Sequence, residues 1–149
     1  MEKAAMIFNG IYLSYAVVDE AFAWAKSAHA NLLAVFLSSK QEKGEGYLFP
    51  SDLDGIANSV SDTDARIEDE KIIQSNARLL EHQAVAERIA LNSVILVDPS
   101  EKELSAALND CTLIFVHDNI QEPGIVTVES IKLDRFLKST GIPLKIIRG

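Results

Sequence analysis

The run LLAVFL, residues Leu32 to Leu37, contains six apolar residues in a row with no polar alternation. A strand with one face in water alternates apolar and polar residues. A strand covered on both faces does not, and both-face covering is the condition of a parallel sheet packed between helices. Four other runs read the same way: Ala4 to Phe8, Val94 to Val97, Leu113 to Val116 and Leu144 to Ile147. The reading of Leu32 to Leu37 as a doubly covered strand therefore sets the fold class for the whole chain.

Helix-like stretches lie between these runs. Ser14 is placed to cap a helix to about His29, with Val17, Ala21, Trp24, Ala25 and Ala28 forming an apolar stripe. Trp24 reads as a packing residue of that helix. Residues 38–62 contain Gly44, Gly46, Pro50 and Gly55 and read as a long low-order connection. Within it, Tyr47 and Phe49 are candidates for contact with a partner or ligand. Thr63 or Asp64 is expected to cap the longest helix, whose inner face takes Ile73, Ala77, Leu80, Ala84 and Leu91. Asp98-Pro99-Ser100 starts a short helix with Leu104, Ala107 and Leu108 facing inward, and a fourth helix is expected over Thr127 to Ser139. Gly141 and Pro143 stop it.

Five doubly covered strands alternating with four helices imply a three-layer α/β sandwich with a mainly parallel five-stranded sheet, one domain over residues 1–149. Ligands in such folds bind beyond the carboxyl ends of the strands, where the strand order reverses. That rule directs attention to Asn9-Gly10, Phe36-Leu37, Asp98 and the loop that opens after Val116.

The bulk numbers narrow the partners. A chain of 149 residues with 48% hydrophobic content is enough for one domain with a sizeable core. Its formal net charge of -8 repels polyphosphate backbones and gives no attraction to anionic membranes, so neither nucleic acid nor membrane is expected as a partner. The stretch MEKAAMIFNG does not read as a signal peptide, because Asn9-Gly10 interrupts its apolar part. No run approaches the roughly 18–20 apolar residues that a membrane span needs. Cys111 is the single cysteine, which excludes an intrachain disulfide and fits a reducing cytoplasm. Its place directly before an apolar run marks it as a small core-edge hydrophobe.

The order and spacing of these segments resemble those of the universal stress proteins over nearly the whole chain. Asn9-Gly10, with Ser14 four positions on, stands where that family usually has an Asp-Gly-Ser-like turn. VDPSEKEL, Val97 to Leu104, looks like its Gly-Asp-Pro turn with Val97 in place of glycine. TLIFVHD takes the place of its fourth strand, and FLKSTGIPLKIIRG that of its closing helix and last strand.

Members that bind ATP carry a loop of the form G-x2-G-x9-G-[ST] after the fourth strand. Glycine is needed there so that the backbone can approach the phosphates and present its N–H groups. A gap-free match puts His117, Ile120 and Ser130 at the three glycine positions and Ile131 at the last. Gly124 lies outside the pattern and follows Pro123, which has no N–H to donate. Asp118, Glu122 and Glu129 add negative charge to the same loop. The resemblance thus implies a degenerate nucleotide site at Asn9, Gly10, Phe36, Leu37, His117, Ile120 and Ser130, with no ATP held in the family manner and no other cofactor expected. It also implies a homodimer through the last strand, Leu144 to Ile147, with Lys145 and Arg148 limiting open-ended association at that edge.

Catalytic patterns are weak. His117-Asp118 sits at a strand end, but adjacent residues of an extended chain point to opposite faces, so the two are not expected to act as a dyad. There is no G-x-S-x-G elbow. His29, His82 and His117 show no metal-ligand spacing. The expected function is therefore binding of a partner or small ligand in stress adaptation, without nucleotide hydrolysis. An ATP or AMP sensor with a non-standard phosphate loop is the alternative, and an enzyme on the same scaffold is a third reading.

Overall fold

The computed structural model describes residues 2–38, 53–118, 120 and 133–148. The elements follow in the order β1 (Lys3–Asn9), α1 (Tyr15–Ala28), β2 (Asn31–Ser38), α2 (Leu53–Ala86), β3 (Leu91–Val97), α3 (Glu101–Ala107), β4 (Leu113–His117), α4 (Leu133–Ser139) and β5 (Leu144–Ile147). The five strands form one sheet in the order β3-β2-β1-β4-β5, and every pairing is parallel. The α/β sandwich expected from the apolar runs is the fold.

Packing explains why those runs lack alternation. Successive side chains of a strand point to opposite faces. Ala4, Met6 and Phe8 of β1 enter a core shared with α1 and α2, joined by Leu32, Ala34 and Phe36 of β2. Ala5 and Ile7, with Leu33, Val35 and Leu37, enter a second core shared with α3 and α4. In β1 and β2 each face is dry, so each residue must be apolar whichever way it points. The edge strands β3 and β5, expected to be doubly covered, instead leave Ile95, Val97 and Ile146 exposed, because one side of each has no neighbouring strand and the helices cover it incompletely.

The helices are held by local chemistry as well as by packing. Ser14 accepts the Val17 N–H at 3.3 Å and caps α1, and Ser100 accepts the Glu103 N–H at 3.1 Å and caps α3. Trp24 is half-buried and meets Phe115 edge-on, with ring centroids 5.9 Å apart. Ala28, expected on the inner stripe of α1, is exposed, because the helix ends there and the chain turns away at His29.

The boundaries of two elements differ from the sequence expectation. Helix α2 starts at Leu53, some ten residues before the expected cap, and runs for 34 residues, about 51 Å. Once a helix is nucleated each further residue adds a hydrogen bond, and the lone Gly55 costs only about 1 kcal/mol. Pro50, the firm breaker in this region, lies before Leu53. At its other end α2 stops at Ala86, and Leu91, expected on its inner face, opens β3. Strand β3 begins there rather than at Val94, with Leu91, Asn92 and Ser93 paired to Leu32, Leu33 and Ala34. The polar Asn92 and Ser93 are tolerated because β3 is an edge strand, where neither is buried; Ser93 hydrogen-bonds Glu81 of α2. Of the fourth helix expected over 127–139, residues 133–139 are described and helical. Tyr47 and Phe49 lie outside the described residues.

Candidate functional site

Strand order reverses between β1 and β4, since β1 connects forward to β2 on one side and pairs with the later β4 on the other. The crevice beyond their carboxyl ends is the position where this architecture offers a site. Four segments converge on it: the β1 exit, the end of β2, Asp98 after β3 and the start of the loop after β4.

Asn9 closes β1 and is 7% exposed. Its Nδ2 donates to the carbonyl oxygen of Ile120 at 2.9 Å, a contact across 111 residues of chain. Gly10 follows with φ of 80°, a left-handed conformation that favours glycine, and its N–H bonds the Leu37 carbonyl at 2.9 Å. The β1 exit is thereby tied to the end of β2 and to the loop after β4 together. From α2, Asn76 donates through Nδ2 to the Ile11 carbonyl at 3.1 Å and braces the same turn.

Phe36 and Leu37 lie at the end of β2 with no exposure, Phe36 stacked on Phe8 at 5.2 Å and Leu37 in the opposite core. Their side chains build the floor of the crevice and are closed to solvent. Asp98 sits past β3 with φ of 44°, and its N–H bonds the Ser38 carbonyl at 2.8 Å. Aspartate adopts this conformation more readily than most residues.

His117 ends β4 with its side chain 11% exposed. Its Nδ1 lies 3.0 Å from Oδ1 of Asp118, and the Tyr12 ring meets it edge-on at 6.2 Å. The sequence rule that neighbours diverge fails here because Asp118 has already left the strand and sits in a turn. The Asp118 N–H bonds the Ile147 carbonyl at 2.9 Å, and the Ile120 N–H returns to the His117 carbonyl at 3.3 Å. This tight turn delivers Ile120 onto the core beneath α3 and α4 and its carbonyl onto Asn9. Ser130, Glu122 and Glu129 lie outside the described residues.

The chemistry available is limited. His117 and Asp118 lie in contact as an acid–base pair, half of what a nucleophile relay needs. The nearby serines are engaged elsewhere, Ser14 and Ser100 as helix caps. Burial pushes the Cys111 thiol above its ordinary value, partly offset by Lys3, which makes it a poor thiolate. Among the described residues no cluster of three or more His, Cys, Asp or Glu side chains is placed to hold a metal ion. Sequence reasoning brought Asn9, Gly10, His117 and Ile120 to one place but missed Tyr12 and Asn76. The only signal for Asn76 was a polar residue beside the inner stripe of α2.

Comparison with solved structures decides the architecture. A universal stress family protein from Burkholderia pseudomallei superposes with a TM-score of 0.58 at 15% identity, over 98% of this chain and 95% of that one. The universal stress protein UspA from Lactobacillus plantarum gives 0.57 at 14% identity, over 99% and 97%.

This chain has the universal stress protein fold.

A third universal stress protein, solved in complex with cAMP, superposes with a TM-score of 0.56 at 14% identity over 98% of this chain and 96% of that one. No family model matches the sequence, and no curated protein matches it. At this identity the likeness is one of backbone fold. Among the described residues no helix is long and apolar enough to cross a membrane.

Proposed function

We propose that this chain is a divergent universal stress protein that binds a partner or small ligand in stress adaptation and does not hold ATP in the family manner. The observation that carries the reading is the bond from Asn9 Nδ2 to the Ile120 carbonyl. It ties one N–H of the Asn9 amide, at the family's ribose position, to the chain's own loop and sets Ile120 over the crevice floor. His117 and Ile120, at two of the glycine positions, each place a side chain where a phosphate loop needs bare backbone. The role is one of binding in the cytoplasm, without hydrolysis.

The second reading, a nucleotide sensor with a non-standard loop, is favoured by the cAMP held by one protein of the same fold. Thermal unfolding with ATP, AMP and cAMP, each with and without Mg²⁺, separates the two. A ligand at a hundredfold over its dissociation constant stabilises by about 2.7 kcal/mol, worth roughly 5–10 °C in a domain of this size. The expected result is no upward shift at millimolar nucleotide. A saturable rise with any of the three overturns the proposal in favour of the sensor.

The last strand is proposed to form the homodimer contact. Strand β5 pairs with β4 on one side and closes the sheet on the other, and Ile146 is 53% exposed there. Lys145 pairs with Glu20 of α1 at 3.2 Å, which draws its charge towards the helix layer. Sedimentation should show a dimer for the unmodified chain and a shift to monomer for Ile146→Lys, because a like charge is brought against itself across a two-fold contact. A monomer in the unmodified chain, or a dimer indifferent to that substitution, removes β5 as the interface.

A further inference from the structure

At the opposite end of the sheet, the chain leaves α1 and α2 by the same device. His29 with φ of 52° and Arg88 with φ of 60° both take the left-handed conformation that closes a helix, where glycine is the usual residue. The next residue in each case bonds back into its helix, Ala30 N–H to the Ala25 carbonyl at 3.0 Å and Ile89 N–H to the Ala84 carbonyl at 2.8 Å. Strands β2 and β3 then start side by side, joined by the Leu32 N–H to the Ala90 carbonyl at 2.9 Å. Two helix ends are thus brought next to each other, each carrying a nitrogen-bearing side chain in place of glycine.

Between them lies a half-open surface pocket of about 300 Å³ lined by Lys26, His29, Ala30, Asn31, Arg88 and Ala90. Its charged lining residues, Lys26 and Arg88, are both basic, on a chain whose formal net charge is -8. Lys26 already has a carboxylate partner in Glu87. The side chains of His29 and Arg88 have no hydrogen bond or ion pair among the described residues. A basic side chain at a helix C-terminus offsets the macrodipole, and Lys26 does so in the last turn of α1. Helix α2 has no basic residue in its last turn, and Arg88 just beyond it serves that end as well, an effect that needs no concavity.

We propose that this cavity binds a small anionic molecule through a phosphate or carboxylate group, with Arg88 as the principal ligand and His29 and Asn31 as further hydrogen-bonding groups. The planar guanidinium presents parallel N–H groups that match either oxyanion. The volume lies at the small end of ligand pockets, which suits a molecule smaller than a nucleotide. The site stands apart from the crevice beyond β1 and β4, so its occupation does not depend on the function proposed there.

Inorganic phosphate and succinate are the probes, titrated separately into the ¹⁵N-labelled chain while amide shifts are followed. Saturable shifts confined to Ala30, Asn31, Ile89 and Ala90 are expected with at least one probe, and the responding probe assigns phosphate or carboxylate. Arg88→Gln should weaken that binding about tenfold or more, as expected for loss of a charge-assisted bond, and Arg88→Lys should recover part of it. His29→Gln is a second variant, should Arg88→Gln disturb the helix end. Absence of shifts with both probes, shifts scattered over the surface, or titration of Arg88→Gln indistinguishable from the unmodified chain each overturn the proposal.

Discussion

Phe36→Ala is expected to destabilise the chain by about 3–5 kcal/mol, lowering the urea midpoint with the slope unchanged. Phe36 has no exposed surface, stacks on Phe8 at 5.2 Å with 27° between the rings, and belongs to the core beneath α1 and α2. Truncation removes apolar contact on a strand flanked on both sides by β1 and β3, where the backbone cannot collapse into the void. The stacked geometry adds about 0.5–1.5 kcal/mol beyond simple burial. Domains of this size are stable by only about 5–15 kcal/mol, so the variant should lie close to its unfolding threshold at ambient temperature. A loss below about 1 kcal/mol would mean that the face holding Phe36 is loosely packed.

Leu80→Ala is the second large effect, about 2–5 kcal/mol. Leu80 is fully buried at the centre of the stripe Ile73, Ala77, Leu80 and Ala84, the part of α2 that meets the sheet. Ala77 and Ala84 are too small to compensate for a lost leucine, so Leu80 and Ile73 hold most of the apolar area of this contact. Five residues along the same helix, Val85 is 76% exposed, and Val85→Ala should fall within about 0.5 kcal/mol of the unmodified chain. Equilibrium unfolding of the two variants tests the orientation of α2 directly. Equal losses would contradict the packing of this helix.

The apolar runs were sufficient for the fold because burial on both faces of a strand writes itself into consecutive positions. Leu32 to Leu37 could not be mistaken for an alternating strand, and the matching runs at Ala4 and Leu113 called for the same sheet. Weak signals failed where partners lie far along the chain. Residues 53–62 read as part of a long low-order connection, functional, partly helical or mobile, because Gly44, Gly46, Pro50 and Gly55 cluster in it. The helix in fact runs from Leu53 into the packed segment further on. Leu91 looked helical by its spacing from Ala84, whereas the chain turns at Arg88 and pairs Leu91 with Leu32.

Side-chain periodicity therefore specified the parallel sandwich and the strand-end location of the crevice, while the expectation that His117 and Ile120 stand at glycine positions came from the resemblance to the universal stress proteins. These are properties of consecutive residues, and a one-dimensional record holds them. Only the folded chain joins Asn9 to the Ile120 carbonyl, turns Asp118 back onto His117 and seats His29 beside Arg88 at the far end. Those contacts depend on parallel register and on where each helix stops. Both are settled by the packing of whole elements, whose energy is shared over many residues and cannot be read from any one of them.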